Sequence, residues 1–153
     1  MSSTARTVEL RRIAQRIADA LPATVEEAVV TGSVSRGVAD DVSDIEMLIV
    51  TEGELDLDEC FSLAAACALT DLGTWGQQGV PTKRVSGYRD GVPIELIWWS
   101  REHAESWPTG SPSARRGCWR SGRSGSATTR TSSREHGSKT LHSPGAGSHP
   151  QVS

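Results

Sequence analysis

Three carboxylates and one glycine–serine turn are the residues from which this chain could build a reactive site. Asp44 and Glu46 stand one residue apart where a hydrophobic run begins, Ile45 to Val50. Alternate side chains of an extended strand share a face, so these two acids do. Two carboxylates about 5 Å apart repel by about 3 kcal/mol at an effective dielectric near 20. A fold that keeps both ionised needs a cation there, and a hard divalent ion such as magnesium takes oxygen ligands and also grips phosphates. Glu95 is the third candidate, inside the apolar run Pro93-Ile94-Glu95-Leu96-Ile97. A lone acid there is costly unless it is paired, metal-bound or at a rim. If its strand runs beside that of Asp44, three carboxylates meet. Two metal ions roughly 3.5–4 Å apart would then stabilise the attacking and leaving oxygens of an in-line displacement.

Gly32 and Ser33 supply the phosphate side. Glycine lets backbone approach an anion closely, and the serine hydroxyl with the N–H groups that follow can donate to its oxygens. Together these residues propose a nucleoside triphosphate, such as ATP, held by turn and metal and attacked at its α-phosphorus.

Gly32-Ser33, ten intervening residues and then Asp44-Ile45-Glu46 among hydrophobics, with Ser35-Arg36-Gly37 and Ser43-Asp44 in the connecting loop, resembles the signature of the polymerase-β-like nucleotidyltransferase superfamily. It is most similar to small bacterial members, the minimal and antibiotic-modifying types. The resemblance implies an α+β fold, a mixed sheet with flanking helices, over residues 1–107. It implies Asp44 and Glu46 as magnesium ligands, Glu95 as a third ligand or general base, Gly32 and Ser33 on the triphosphate, and Arg36 assisting them. The implied activity is transfer of a nucleoside monophosphate to a hydroxyl acceptor, a small molecule or a protein, with release of pyrophosphate. Family members usually continue into a helical region that shapes the acceptor site; here that region is missing or replaced.

The elements that must position these residues are readable from periodicity. Leu10, Ile13, Ile17 and Leu21 mark an amphipathic helix over residues 4–21, ended by Pro22. Its arginines, Arg11, Arg12 and Arg16, read as a solvated face. Residues 25–31 are rich in β-branched side chains and strand-like, and Ser33 to Arg36 start a short helical turn. Residues 44–51 form a second strand, apolar on both faces beyond its first residues, as in the middle of a sheet. A helix is expected over 57–71, closed by Gly73. Two strand-like runs, 83–89 and 92–99, flank Asp90-Gly91, a hairpin signal. Lys83 and Arg84 read as a solvated strand face, Trp75 as a packing residue, and 101–107 as one or two helical turns.

Charge divides the chain. Residues 1–100 carry 8 basic and 16 acidic side chains, net −8, and residues 101–153 carry 8 and 3, net +5. The acidic front argues against a general nucleic-acid-binding surface and suits a site that needs cations. From Pro108 periodicity ends: the last 46 residues contain no Ile, Phe, Tyr, Met or Asp. Such a segment cannot bury enough apolar area to offset its ordering entropy, so residues 108–153 are expected to be a disordered tail, either true low-complexity sequence or coding sequence out of frame. Cys60, Cys67 and Cys118 form neither a disulfide framework nor a zinc pattern, and the histidines lack ligand spacing. With no signal-peptide pattern and no membrane-length apolar run, a soluble cytoplasmic protein is expected. Two other readings share this scaffold: an antitoxin-like protein that binds a partner without turnover, and an inactive truncated product.

Overall fold

The computed structural model describes residues 3–75, 81–107 and the residue pair 119–120. It has the expected α+β architecture, a mixed sheet with helices packed on it. In chain order the elements are α1 (Ala5–Ala20), β1 (Val25–Val30), α2 (Gly32–Arg36), β2 (Ile45–Thr51), α3 (Leu57–Ala66), β3 (Thr70–Gly73), β4 (Lys83–Arg89), β5 (Val92–Ser100), α4 (Arg101–Ser106) and β6 (Trp119–Arg120). The six strands lie in the order β3-β4-β5-β2-β1-β6. β2 and β5 are parallel neighbours at the centre, and every other pairing is antiparallel.

Strand alternation sorts the apolar side chains. Ile45, Met47 and Ile49 of β2 and Ile94, Leu96 and Trp98 of β5 enter one core with Leu10, Ile13 and Ile17 of α1 and Cys60 and Ala64 of α3. The helical spacing in α1 thus serves the purpose it suggested. Each of the larger side chains contributes about 1.5–3 kcal/mol by leaving water. The opposite sheet face carries Glu46, Leu48 and Val50 on β2, with Leu48 and Val50 also buried, so β2 is covered on both sides as its composition predicted. The β4–β5 hairpin turns at Asp90 (φ 51°) and Gly91 (φ 74°). Two successive positive φ values define the turn that matches strand twist.

One helix is shorter than its pattern predicted. α3 ends at Ala66, and the chain reverses through Ala68, φ 60°. Leu69 N–H bonds Ala64 O at 3.2 Å and Ala68 N–H bonds Ala65 O at 2.9 Å, the paired bonds of a Schellman motif. Leu69 is buried beyond the cap. Residues 70–73, expected to close the helix, instead add β3 to the sheet edge beside β4. The expected tail, 108–153, lies outside the described residues apart from Trp119–Arg120, which pair with Val29 and Val30 of β1. Among the described residues, no helix is long and apolar enough to cross a membrane.

Candidate active site

The parallel register of β2 and β5 builds the site. Ile45 pairs with Ile94 and Glu46 with Glu95, so the two glutamates face each other across adjacent strands on the sheet face away from the core. Asp44 precedes β2 by one residue and is exposed. The condition set by the sequence, that Glu95 run beside the Asp44 strand, is met in the backbone.

Gly32 and Ser33 arrive at the same end of the sheet. β1 pairs with β2 up to Val30↔Met47, and Thr31 continues the ladder, its N–H 2.9 Å from Glu46 O. The Thr31 hydroxyl donates to Glu46 Oε1 at 2.8 Å, tying the turn to the carboxylate through side chain as well as backbone. Gly32 then takes φ +66° with open space where a Cβ would stand. Any other L residue would be strained there by its own backbone rather than by a neighbour. Ser33 is half-buried, and Arg36 is exposed at the last position of α2.

The helix α1 fastens this turn. The Thr4 hydroxyl donates to Ala39 O at 2.8 Å, and Ala39 N–H donates to the Thr7 hydroxyl at 3.0 Å. Arg11 donates from Nε to Val34 O at 3.2 Å and from Nη2 to Ser35 O at 3.0 Å. Arg11 is therefore not part of a solvated face; it caps the carbonyl end of α2, where a cation meets the negative pole of the turn. The spacing Thr4, Thr7, Arg11 was the available signal, a polar stripe at helical period beside the apolar one.

The electrostatics are those of crowded acids. Burial first, and then the neighbouring Glu46 charge, raise the Glu95 carboxyl above its ordinary range; the Arg84 guanidinium opposes this and Asp44 adds to it. Arg84 Nη1 lies 3.4 Å from Glu95 Oε1, and its guanidinium carbon sits 4.5 Å from the centre of the Trp75 ring. Both residues depart from expectation, since Arg84 faces an acid rather than bulk water and Trp75 is exposed beside it rather than packed. Lys83, next in the chain, pairs with Glu54 at 2.7 Å. The hairpin held the clue to Arg84. The Asp90-Gly91 turn sets Ser86 opposite Glu95, which brings Arg84 to the diagonal position within reach of a long side chain.

A cleft of about 220 Å³ opens here, lined by Asp44, Asp71, Trp75, Tyr88 and Glu95 among others. A larger groove of about 750 Å³ lies near Thr51, Leu55 and Leu63, beyond the opposite end of β2 and away from the three acids. Among the described residues, no three acidic, imidazole or thiol side chains converge on one point. Glu46 and Glu95 are instead engaged by Thr31 and Arg84. The chemistry of the donor set, three carboxylates near one strand end, is the all-oxygen kind that a hard divalent cation takes, and the charges of Glu46 and Asp44 both bear on Glu95.

No protein-family model matches this chain, and no curated protein matches it. Among solved structures it is similar to the Cid1 poly(U) polymerase with MgGTP bound, at 12% identity over 67% of this chain and 35% of that one, TM-score 0.45. It is also similar to the polymerase core of TRAMP, an RNA surveillance complex, at 19% identity over 60% of this chain and 30% of that one, TM-score 0.41. A third is terminal uridylyl transferase 4 from Trypanosoma brucei with bound CTP, at 12% identity over 65% and 36%, TM-score 0.38. The chain spans about a third of the length of each of these proteins.

Proposed function

We propose that this chain is a nucleotidyltransferase-type domain that transfers a nucleoside monophosphate from a nucleoside triphosphate to a hydroxyl, releasing pyrophosphate, with magnesium held by Asp44, Glu46 and Glu95. The observation that carries this reading is the register of Glu46 against Glu95 with Asp44 one step ahead, beside a turn bonded directly to Glu46. Bound magnesium would supply charge neutralisation on the triphosphate and on the oxygens that exchange at phosphorus. The chain's own residues divide the remaining work. Gly32 leaves room for a phosphate against the backbone, Ser33 offers its hydroxyl and N–H, and Arg36 supplies charge from the rim of the turn. Thr31 orients the Glu46 carboxylate by the same bond that anchors the turn. Arg11, Thr4 and Thr7 hold the turn in place from behind.

The acceptor is a small molecule or a protein side chain rather than a nucleic acid end, a preference supported by the acidic character of residues 1–100. The experiment is magnesium-dependent pyrophosphate release by the full chain with each nucleoside triphosphate, scored with labelled nucleotide across an acceptor screen. Asp44→Ala is expected to abolish it. Release that persists undiminished in Asp44→Ala would remove Asp44 from the metal site. Partner capture insensitive to Asp44→Ala and Glu46→Ala, with no transfer in the parent chain, would favour the binding role without turnover.

A further inference from the structure

We propose that Arg84 is the built-in counterion of the three carboxylates: it holds Glu95 in the metal-free chain and gives it up when a divalent cation binds. The inference rests on the reading of Asp44, Glu46 and Glu95 as metal ligands and adds a residue that their motif does not contain.

The Glu95 side chain retains only 17% of its exposure and faces Glu46 across the strand pair. A carboxylate so placed needs positive charge nearby. Arg84 supplies it, and every feature of its contact suits a charge that can be released. The Nη1 to Oε1 distance of 3.4 Å is beyond the usual range for a charge-assisted bond, so the pair is held by Coulomb attraction more than by a tight hydrogen bond. The Arg84 side chain is 37% exposed, and letting go of Glu95 strands no buried cation. The Trp75 face, 4.5 Å from the guanidinium carbon, offers a second resting place. A planar guanidinium can lie on an indole and reach a carboxylate at once, which a lysine ammonium does less well.

A divalent ion entering among Asp44, Glu46 and Glu95 meets this guanidinium as a like charge. Arg84 therefore lowers the affinity for the ion while stabilising the chain that lacks it. Removing the charge about 6 Å from a divalent ion in a water-like dielectric corresponds to about a tenfold change in binding.

The test is binding of manganese(II) alone, without nucleotide, to the full chain at low ionic strength, read by paramagnetic resonance of the free ion and by thermal unfolding with and without the metal. The proteins are the parent chain, Arg84→Gln, Arg84→Lys and Glu95→Gln. Arg84→Gln is expected to bind about tenfold tighter than the parent, with the gap narrowing as salt is added. Arg84→Lys, which keeps the charge, is expected to stay within about twofold of the parent. Glu95→Gln is expected to weaken binding strongly. Equal or weaker binding by Arg84→Gln, with Glu95→Gln still impaired, overturns the counterion role and leaves the carboxylate site standing. No manganese bound by either the parent or Arg84→Gln, or binding indifferent to Glu95→Gln, overturns the carboxylate site and the counterion with it.

Discussion

Arg11 on the first helix bonds the backbone carbonyl of Val34, 23 positions later, at 3.2 Å, and the next carbonyl, Ser35, at 3.0 Å. The turn that begins with Gly32 is thus secured from outside its own motif. α2 is only five residues long, too short to persist by its own hydrogen bonds. Its carbonyl end is closed by Gly37 at φ 80°, with Val38 N–H on Ser33 O at 3.1 Å, and Arg11 adds a cation to the same pole.

Arg11→Ala is expected to lower global stability by about 1–2 kcal/mol, the loss of charge-assisted bonds from a half-exposed side chain. The larger effect is local. Amide exchange at residues 33–37 should accelerate well beyond that of β5, and apparent affinity for nucleoside triphosphate should fall with it. Equal exchange changes in both segments would make Arg11 a general stabiliser with no special hold on the turn.

Glu95 yields a prediction with opposite signs for fold and function. Its carboxyl is raised by burial and by Glu46, so the folded chain binds that proton more tightly than the unfolded chain does. The resulting stability is fully present below the unfolded-state value and is lost as pH rises through the raised folded-state value. At pH 7 the charged Glu95 is a liability, and Glu95→Gln is expected to raise the denaturant midpoint there. The gain should vanish as pH falls below the ordinary carboxylate range. Pyrophosphate release should be lost in the same variant. Urea titrations at neutral and acidic pH without divalent cations check the first part; a variant less stable than the parent at pH 7 would show that Arg84 more than compensates the acid crowding.

The sheet's central logic was legible in the sequence because it depends on strand period and turn chemistry. Glu46 comes to lie opposite Glu95 through strand alternation and register, and the Asp90-Gly91 pair fixes the hairpin that carries Glu95; Asp44, expected to open the strand, stands one residue outside it. The parallel pairing of β2 with β5 was only a condition in the sequence, since nothing in either strand names its neighbour. Arg11 and Arg84 were missed because a solvated arginine and an engaged one have the same local sequence. Their partners, Val34 O, Ser35 O and Glu95, are set by packing of α1 and by hairpin register. The end of α3 was missed because its left-handed cap residue is Ala68, whereas glycine or asparagine is the usual mark of such a stop.

That cap carries its own prediction. Ala68 is exposed and sits at φ 60°, where a Cβ costs about 1–2 kcal/mol. Glycine removes this strain and loses about 0.5–1 kcal/mol through the greater freedom of the unfolded chain. Ala68→Gly is therefore expected to stabilise the protein by up to about 1 kcal/mol, which is unusual for an alanine-to-glycine change near a helix. Thermal unfolding of the pair decides it. A destabilised Ala68→Gly would mean that the helix runs on through residue 68, as its hydrophobic stripe suggested.

The cysteines test whether α3 and the turn after it sit in the shared core as described. Cys60 is fully buried, and burial pushes its thiol up to about 12. Burial also raises Cys67, against the pull of Arg89, and its thiol points at Ile17 O, 3.7 Å away. At pH 8 the Cys60 thiol is thiolate in about one molecule in ten thousand, and the thiolate is the reactive form. In a Cys118→Ser background, which leaves only these two, aromatic disulfide reagents are expected to label the native protein slowly and the urea-unfolded protein at once. The native rate should follow the population of opened molecules, rising with sub-denaturing urea. Cys60→Ser should cost about 1–3 kcal/mol by burying a hydroxyl where an apolar thiol stood, and Cys60→Ala less. Rapid native labelling of both thiols would lift α3 and the turn after it out of the core that holds β2 and Glu46 in place.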